Sequence, residues 1–84
     1  MFFVYILENQ KDHEWYIGYT DDIDCRPAEH ERGQTRSTAN RGPFVLIYYE
    51  AYLNKMDALG REKFLKSGAG HRFVKKQLSY YFGK

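Results

Sequence analysis

The sequence predicts an α/β (α+β) domain: a small three-stranded antiparallel sheet flanked by helices, in the order ββαβαα. Three observations carry that expectation. Two runs rich in aromatic and β-branched residues, Phe2 to Leu7 and Trp15 to Thr20, flank a short polar connection, NQKDHE. A third apolar run, FVLIYYE, occupies residues 44 to 50, and the stretches after Asn54 and after Gly70 carry helical spacing. With 84 residues, of which 43% are hydrophobic and 18% aromatic, the chain has the material for one packed domain, residues 1–84, rather than for disorder or for two cores.

Each element follows from local chemistry. The first two runs form an antiparallel hairpin with a longer loop. TDDID, residues 20 to 24, then supplies several helix caps before a short helix that ends near Gly33. GQTRSTANRGP has the composition of turns and loops. The run from residue 44 to 50 is short, continuous and apolar, which fits a buried strand. Asn54 caps a helix from about Lys55 to Lys66, which Ser67-Gly68-Ala69-Gly70 stops, and a last amphipathic helix carries Phe73, Val74, Leu78 and Tyr81 at helical spacing.

Two of these helices break the apolar pattern. Ala58, Leu59, Glu62 and Leu65 fall at i, i+3, i+4, i+7, so Glu62 sits between Leu59 and Leu65 inside the apolar stripe. An unpaired buried carboxylate is costly. Glu62 is therefore neutralised, or binds a cation at the edge of the core, or pairs with Lys66 at i,i+4, or with Arg61 or Lys63 reaching a sheet group. On the first helix, Ile23, Arg26, Pro27 and His30 share one face, placing a guanidinium and an imidazole where apolar residues belong. Each has a bland reading, an arginine stem covering aromatic rings or a hydrogen-bonded core histidine. Two helices breaking the same local rule mark a candidate functional site. Tyr5 and Tyr16 lie on neighbouring strands, and a suitable register brings both hydroxyls to one face. Gly18 permits close approach of a ligand or another backbone segment.

Charge and cysteine content narrow the classes. Residues 1 to 31 hold eight acidic against two basic side chains, for −6, and residues 32 to 84 hold eleven basic against three acidic, for +8. A basic face of this kind attracts a polyanion through counterion release, although a merely solvated surface has the same composition. The lone Cys25 excludes an intramolecular disulfide, and no His/Cys cluster offers a structural zinc site, which favours a reducing compartment. Met1 to Leu7 is too short for a membrane span and has no leader-like flanks, so the expected location is the cytoplasm, with no membrane partner.

The arrangement resembles the GIY-YIG nucleases. Phe3-Val4-Tyr5 stands where the GIY triplet belongs, Tyr16-Ile17-Gly18 matches YIG in full, and Arg26, His30 and Glu62 fall at matching positions. The flanking text YIGYTDDIDCRPAEH, RGPFVLIYYE and ALGREKFLKSG matches as well. The likeness covers residues 2 to about 74 and is strongest to small stand-alone members, related to the catalytic module of the bacterial excision-repair incision subunit and to homing endonucleases. Phe3 replaces the glycine of the triplet, and Pro27 replaces an apolar residue. A proline is tolerated in the first helical turn, which predicts that this helix starts near Asp24.

The resemblance implies a metal-dependent endonuclease acting on nucleic acid, DNA before RNA and structured or branched DNA first. It implies Tyr5, Tyr16, Arg26, His30 and Glu62 as the catalytic set. Glu62 would hold one Mg²⁺ or Mn²⁺, since Mg²⁺ takes one or two carboxylates and completes its shell with water and phosphate. Arg26 would contact the scissile phosphate. Tyr5 would act as base, His30 would orient it or pass its proton on, and Tyr16 would bind phosphate or a water on the cation. Further residues fit contacts to the substrate backbone: Gly18, Arg36, Thr38 and Arg41, and near the C terminus Lys66, His71, Arg72, Lys75 and Lys76. SGAGHR offers backbone amides beside a helix start, an anion site, unless Gly68 is a helix C-cap. With no second DNA-binding domain attached, a homodimer or protein partner would supply specificity. The alternative is a module that binds nucleic acid, or another protein, on the same fold without cleaving.

Overall fold

A computed structural model describes residues 1–23 and 43–83. The helix expected after TDDID lies outside the described residues, and so does its Pro27. What is described is an α+β arrangement of β1 (Phe2–Asn9), β2 (Trp15–Thr20), β3 (Phe44–Tyr52), α1 (Lys55–Leu65) and α2 (Gly68–Gln77). The strands form one antiparallel sheet in the order β2-β1-β3, with β1 in the centre.

The hairpin between β1 and β2 is organised by Asn9. Its buried side-chain oxygen accepts from the backbone N–H of Lys11 at 2.8 Å, and its backbone N–H reaches the Glu14 carbonyl at 2.8 Å. This is the local turn that Asn side chains favour, and His13 closes it with φ near 60°. The turn fixes the register: Tyr5 faces Gly18, Leu7 faces Tyr16 and Glu8 faces Trp15. Between β1 and β3 the register shifts after Ile6, leaving Ile47 as an extra residue on β3, a β-bulge.

Strand alternation then divides the side chains between two faces. Val4, Ile6 and Ile17 pack with Ala58 and Leu65 of α1 and Val74 of α2, which forms the main core. Burying each valine, leucine or isoleucine among them contributes about 1.5–3 kcal/mol. On the other face Tyr5, Leu7 and Phe44 are buried, with Tyr16, Ile23 and Leu46 packed beside them.

Both helices begin as capping chemistry dictates. Asn54 accepts from the Met56 N–H at 2.8 Å, and Ser67 accepts from the Gly70 N–H at 3.1 Å. The second cap corrects the sequence expectation, in which Ser67 to Gly70 formed a stop between helices. The chain leaves α1 at Lys66 and enters α2 immediately, because Ser67 caps the new helix and Gly70 lets the two backbones touch. A Cβ on Gly70 would lie 2.1 Å from the Phe64 carbonyl oxygen and 2.5 Å from the Leu65 Cα. Tyr81 likewise lies beyond the end of α2 rather than on its apolar face.

Arg61 fastens α1 to β3. Its guanidinium makes two hydrogen bonds to the Glu50 carboxylate, at 2.8 and 3.1 Å, and lies over the rings of Phe64 and Phe73, 4.7 and 4.6 Å from their centroids. Tyr48 and Tyr52 also donate to Glu50. Burial acts first on the two phenols, followed by their hydrogen bonds to Glu50, and each is pushed up to about 12. Burial alone would raise the Glu50 carboxyl, but hydrogen bonds from Arg61, Tyr48 and Tyr52 outweigh it and hold the group below the usual carboxylate range. No helix among the described residues is long and apolar enough to cross a membrane.

Candidate nucleic-acid site

Tyr5 is the centre of the sheet face opposite α1 and α2. It is buried, at 2% exposure, and its ring lies across β2 over Gly18. A Cβ at residue 18 would stand 2.6 Å from the Tyr5 hydroxyl oxygen and 2.7 Å from its Cζ. Gly18 needs no unusual backbone angle here; it is the one residue with no side chain to meet the ring. The close approach expected at Gly18 is therefore made by Tyr5. Tyr16, two residues earlier on β2, shares the face and is the diagonal neighbour of Tyr5, within side-chain reach. Phe3, which replaces the glycine of the triplet, meets Tyr49 edge-on, with ring centroids 6.0 Å apart.

Glu62 lies on α1, which packs on the opposite face of the sheet. Its side chain is 20% exposed, and Lys66 pairs with it at 2.9 Å, one of the pairings the sequence leaves open. Arg61, another partner the sequence leaves open for Glu62, is bound instead to Glu50 on β3. Among the described residues no hydrogen bond links Glu62 to Tyr5 or Tyr16. Arg26, His30, Arg36, Thr38 and Arg41 lie outside the described residues. The structure thus brings together Tyr5, Tyr16 and Gly18, and it places Glu62 on a helix across the sheet.

Of the C-terminal residues expected at the nucleic acid, Arg72, Lys75 and Lys76 are exposed on α2, and Lys66 is engaged by Glu62. His71 lies against Trp15, ring centroids 4.8 Å apart. The amide of Gly70 in the expected anion site is already taken by Ser67.

Sequence reasoning missed Glu8. Alternation along β1 puts it on the helix-covered face with Val4 and Ile6, and it is 4% exposed. Its carboxylate accepts from Trp15 Nε1 at 3.1 Å and from the Tyr81 hydroxyl at 2.7 Å. The hydrogen bond to Glu8, then burial, raises the Tyr81 phenol above its ordinary value. The signal was an acid in a strand otherwise apolar on that face.

A single partly exposed carboxylate suits one hard divalent cation whose remaining ligands are water and phosphate. Glu62 fits that description, since Lys66, which pairs with it, is an exposed lysine that can turn away. No group of three or more His, Cys, Asp and Glu among the described residues forms a cage for a metal.

Comparison with known proteins agrees with the fold. Residues 1–76 match the model of the GIY-YIG catalytic domain. A UPF0213 protein of Lacticaseibacillus paracasei is 40% identical over 62 residues, covering 73% of this chain and 70% of its own length. The UPF0213 protein BH0048 of Halalkalibacterium halodurans is 45% identical over 58 residues, 68% of this chain and 61% of its own length. A solution NMR structure of the UPF0213 protein BH0048 from Bacillus halodurans is similar over 99% of this chain and 88% of that chain, with a TM-score of 0.56 and 38% identity.

Proposed function

Because the chain belongs to the GIY-YIG domain family, a nuclease superfamily, we propose that it is a divalent-metal-dependent endonuclease that hydrolyses phosphodiester bonds, with structured or branched DNA as first substrate. The observation that carries this reading is the Tyr5 ring held over Gly18 with Tyr16 diagonal to it on the same face. Two hydroxyls on a rigid strand pair are positioned more tightly than hydroxyls on loops.

Hydrolysis needs a deprotonated water, a counter-charge on the phosphate and a stabilised leaving oxygen. Tyr5 accepts the proton of the attacking water. An ordinary phenol ionises near pH 10, so this role would draw on the cation, Arg26 or Tyr16. Arg26 also contacts the scissile phosphate, Tyr16 binds a phosphate oxygen, and His30 orients Tyr5 or carries its proton onward. Glu62 would hold one Mg²⁺ or Mn²⁺, which when bound supplies charge neutralisation at the phosphate. Among the described residues β2 is an edge strand, and the substrate is placed along that edge, between the tyrosine face and α1. Arg72, Lys75 and Lys76 give a sequence-independent contact to the backbone. The setting is cytoplasmic repair of DNA, with a second copy or a protein partner adding specificity.

The test is cleavage of labelled branched, nicked, single-stranded and duplex DNA in Mg²⁺ or Mn²⁺, comparing the wild type with Glu62→Ala. Metal-dependent cutting that disappears in the variant supports the assignment. Equal DNA binding by both proteins with no cutting by either points instead to a binding module on the same fold.

A further inference from the structure

On the helix-covered face of the sheet, beyond the hairpin end, an open groove of about 810 Å³ is lined by Glu8, Trp15, His71, Lys75, Tyr81 and Phe82, among others. Tyr5 and Tyr16 face the other way. We propose that this groove binds one unstacked nucleobase that carries an amino group, from a single-stranded part of the substrate. The inference rests on the reading of the chain as a nucleic-acid enzyme and adds a second contact, on the face of the sheet away from Tyr5 and Tyr16.

Three features select that ligand. Trp15, His71 and Phe82 form a ring wall, with Phe82 stacked 5.8 Å from Trp15, and flat apolar walls of this kind receive bases through stacking. At the inner end, Glu8 is a buried carboxylate with acceptor capacity for about four hydrogen bonds. Trp15 and Tyr81 donate to it, while His13 Nδ1 stands 3.9 Å away, beyond hydrogen-bond range. A carboxylate accepts only, so it rewards the exocyclic amino groups of cytosine, adenine or guanine. Thymine has no exocyclic amino group: its edge offers one ring N–H flanked by two carbonyl oxygens, and those oxygens meet Glu8 with repulsion, which weakens its binding relative to the amino-bearing bases. At the rim, the Lys75 ammonium and His71 are placed for the phosphates on either side of the base. This position also gives His71 and Lys75, read from the sequence as backbone contacts, a neighbour that discriminates among bases.

Trp15 is the single tryptophan of the chain, so its emission reports on the groove alone. Titration with oligo-dA, oligo-dC and oligo-dT in metal-free buffer is expected to quench it, with oligo-dA and oligo-dC effective at concentrations lower than oligo-dT by about fivefold or more. Glu8→Gln, whose amide both donates and accepts, narrows that ratio to below about twofold. If Glu8→Gln does not fold, Lys75→Ala on the exposed rim decides in its place: it weakens quenching by all three oligonucleotides in equal proportion and leaves the wild-type ratio intact. Equal quenching by all three, or oligonucleotide binding seen by anisotropy with Trp15 emission unchanged, overturns the proposal. Failure of the nuclease reading shows as absence of cutting with metal present, and the metal-free titration does not depend on that.

Discussion

Replacing Gly18 by alanine places a methyl carbon 2.6 Å from the Tyr5 hydroxyl oxygen and 2.7 Å from Cζ, well inside contact distance. Tyr5 is 2% exposed, so its ring has little room to retreat. Overpacking of a closed core costs about 1–3 kcal/mol. Alanine at a backbone angle it tolerates returns about 0.4–1 kcal/mol by restricting the unfolded chain. The net expectation is a loss of about 1–2 kcal/mol, which for a domain of this size lowers Tm by about 5–15 °C. Thermal unfolding followed by circular dichroism measures it. The control is Tyr5→Leu, which removes both Cζ and the hydroxyl. In that background Gly18→Ala becomes neutral or stabilising, so the two substitutions are coupled by more than about 1 kcal/mol. A Gly18→Ala protein that melts at or above the wild type, or a cost unchanged by Tyr5→Leu, would refute the claim that this glycine exists to seat the tyrosine.

Other substitutions test the rest of the frame. Arg61→Ala leaves the half-buried Glu50 carboxylate without its cation and removes two ring contacts; chemical denaturation should show a loss of about 2–4 kcal/mol, with Arg61→Lys intermediate. The same pair sets a pH dependence. Since the folded-state value of Glu50 lies below its unfolded value, its contribution is present above the ordinary carboxylate range and is lost as pH falls through the depressed value. Wild-type stability should therefore fall more steeply on acidification than that of Arg61→Ala. Gly70→Ala drives a methyl into the backbone of Phe64 and Leu65, and a loss above about 3 kcal/mol, or failure to fold, is expected in expression and melting assays.

The sheet was legible because its strands are short, aromatic and bounded by turn residues, and the helix after Asn54 because its cap is a local signal. Register was the first thing the sequence left conditional. Two tyrosines eleven positions apart share a face only because Asn9 folds the hairpin so that Tyr5 meets Gly18 and Leu7 meets Tyr16. The boundary between α1 and α2 was misread because glycine signals both a stop and a close approach. At Gly70 it is a close approach, which depends on where Phe64 lies. Glu62 was identified as an exception in an apolar stripe, and its pairing with Lys66 was among the open possibilities. Glu8 escaped notice because one of its partners, Tyr81, is 73 residues away, and no local pattern reveals such a contact. The acid of YYEAY is similar: strand alternation aligns Glu50 with Tyr48 and Tyr52, but the arginine that completes the network comes from α1.

The central claim is that the face bearing Tyr5 and Tyr16 performs the chemistry. Single-turnover cleavage of the preferred DNA by Tyr5→Phe and Tyr16→Phe, against the exposed Tyr80→Phe, tests it most directly. The account predicts that Tyr5→Phe and Tyr16→Phe each lose about 10²-fold or more in rate while folding normally, and that Tyr80→Phe matches the wild type. Wild-type rates in all three variants would contradict it and move the catalytic site away from this face of the sheet.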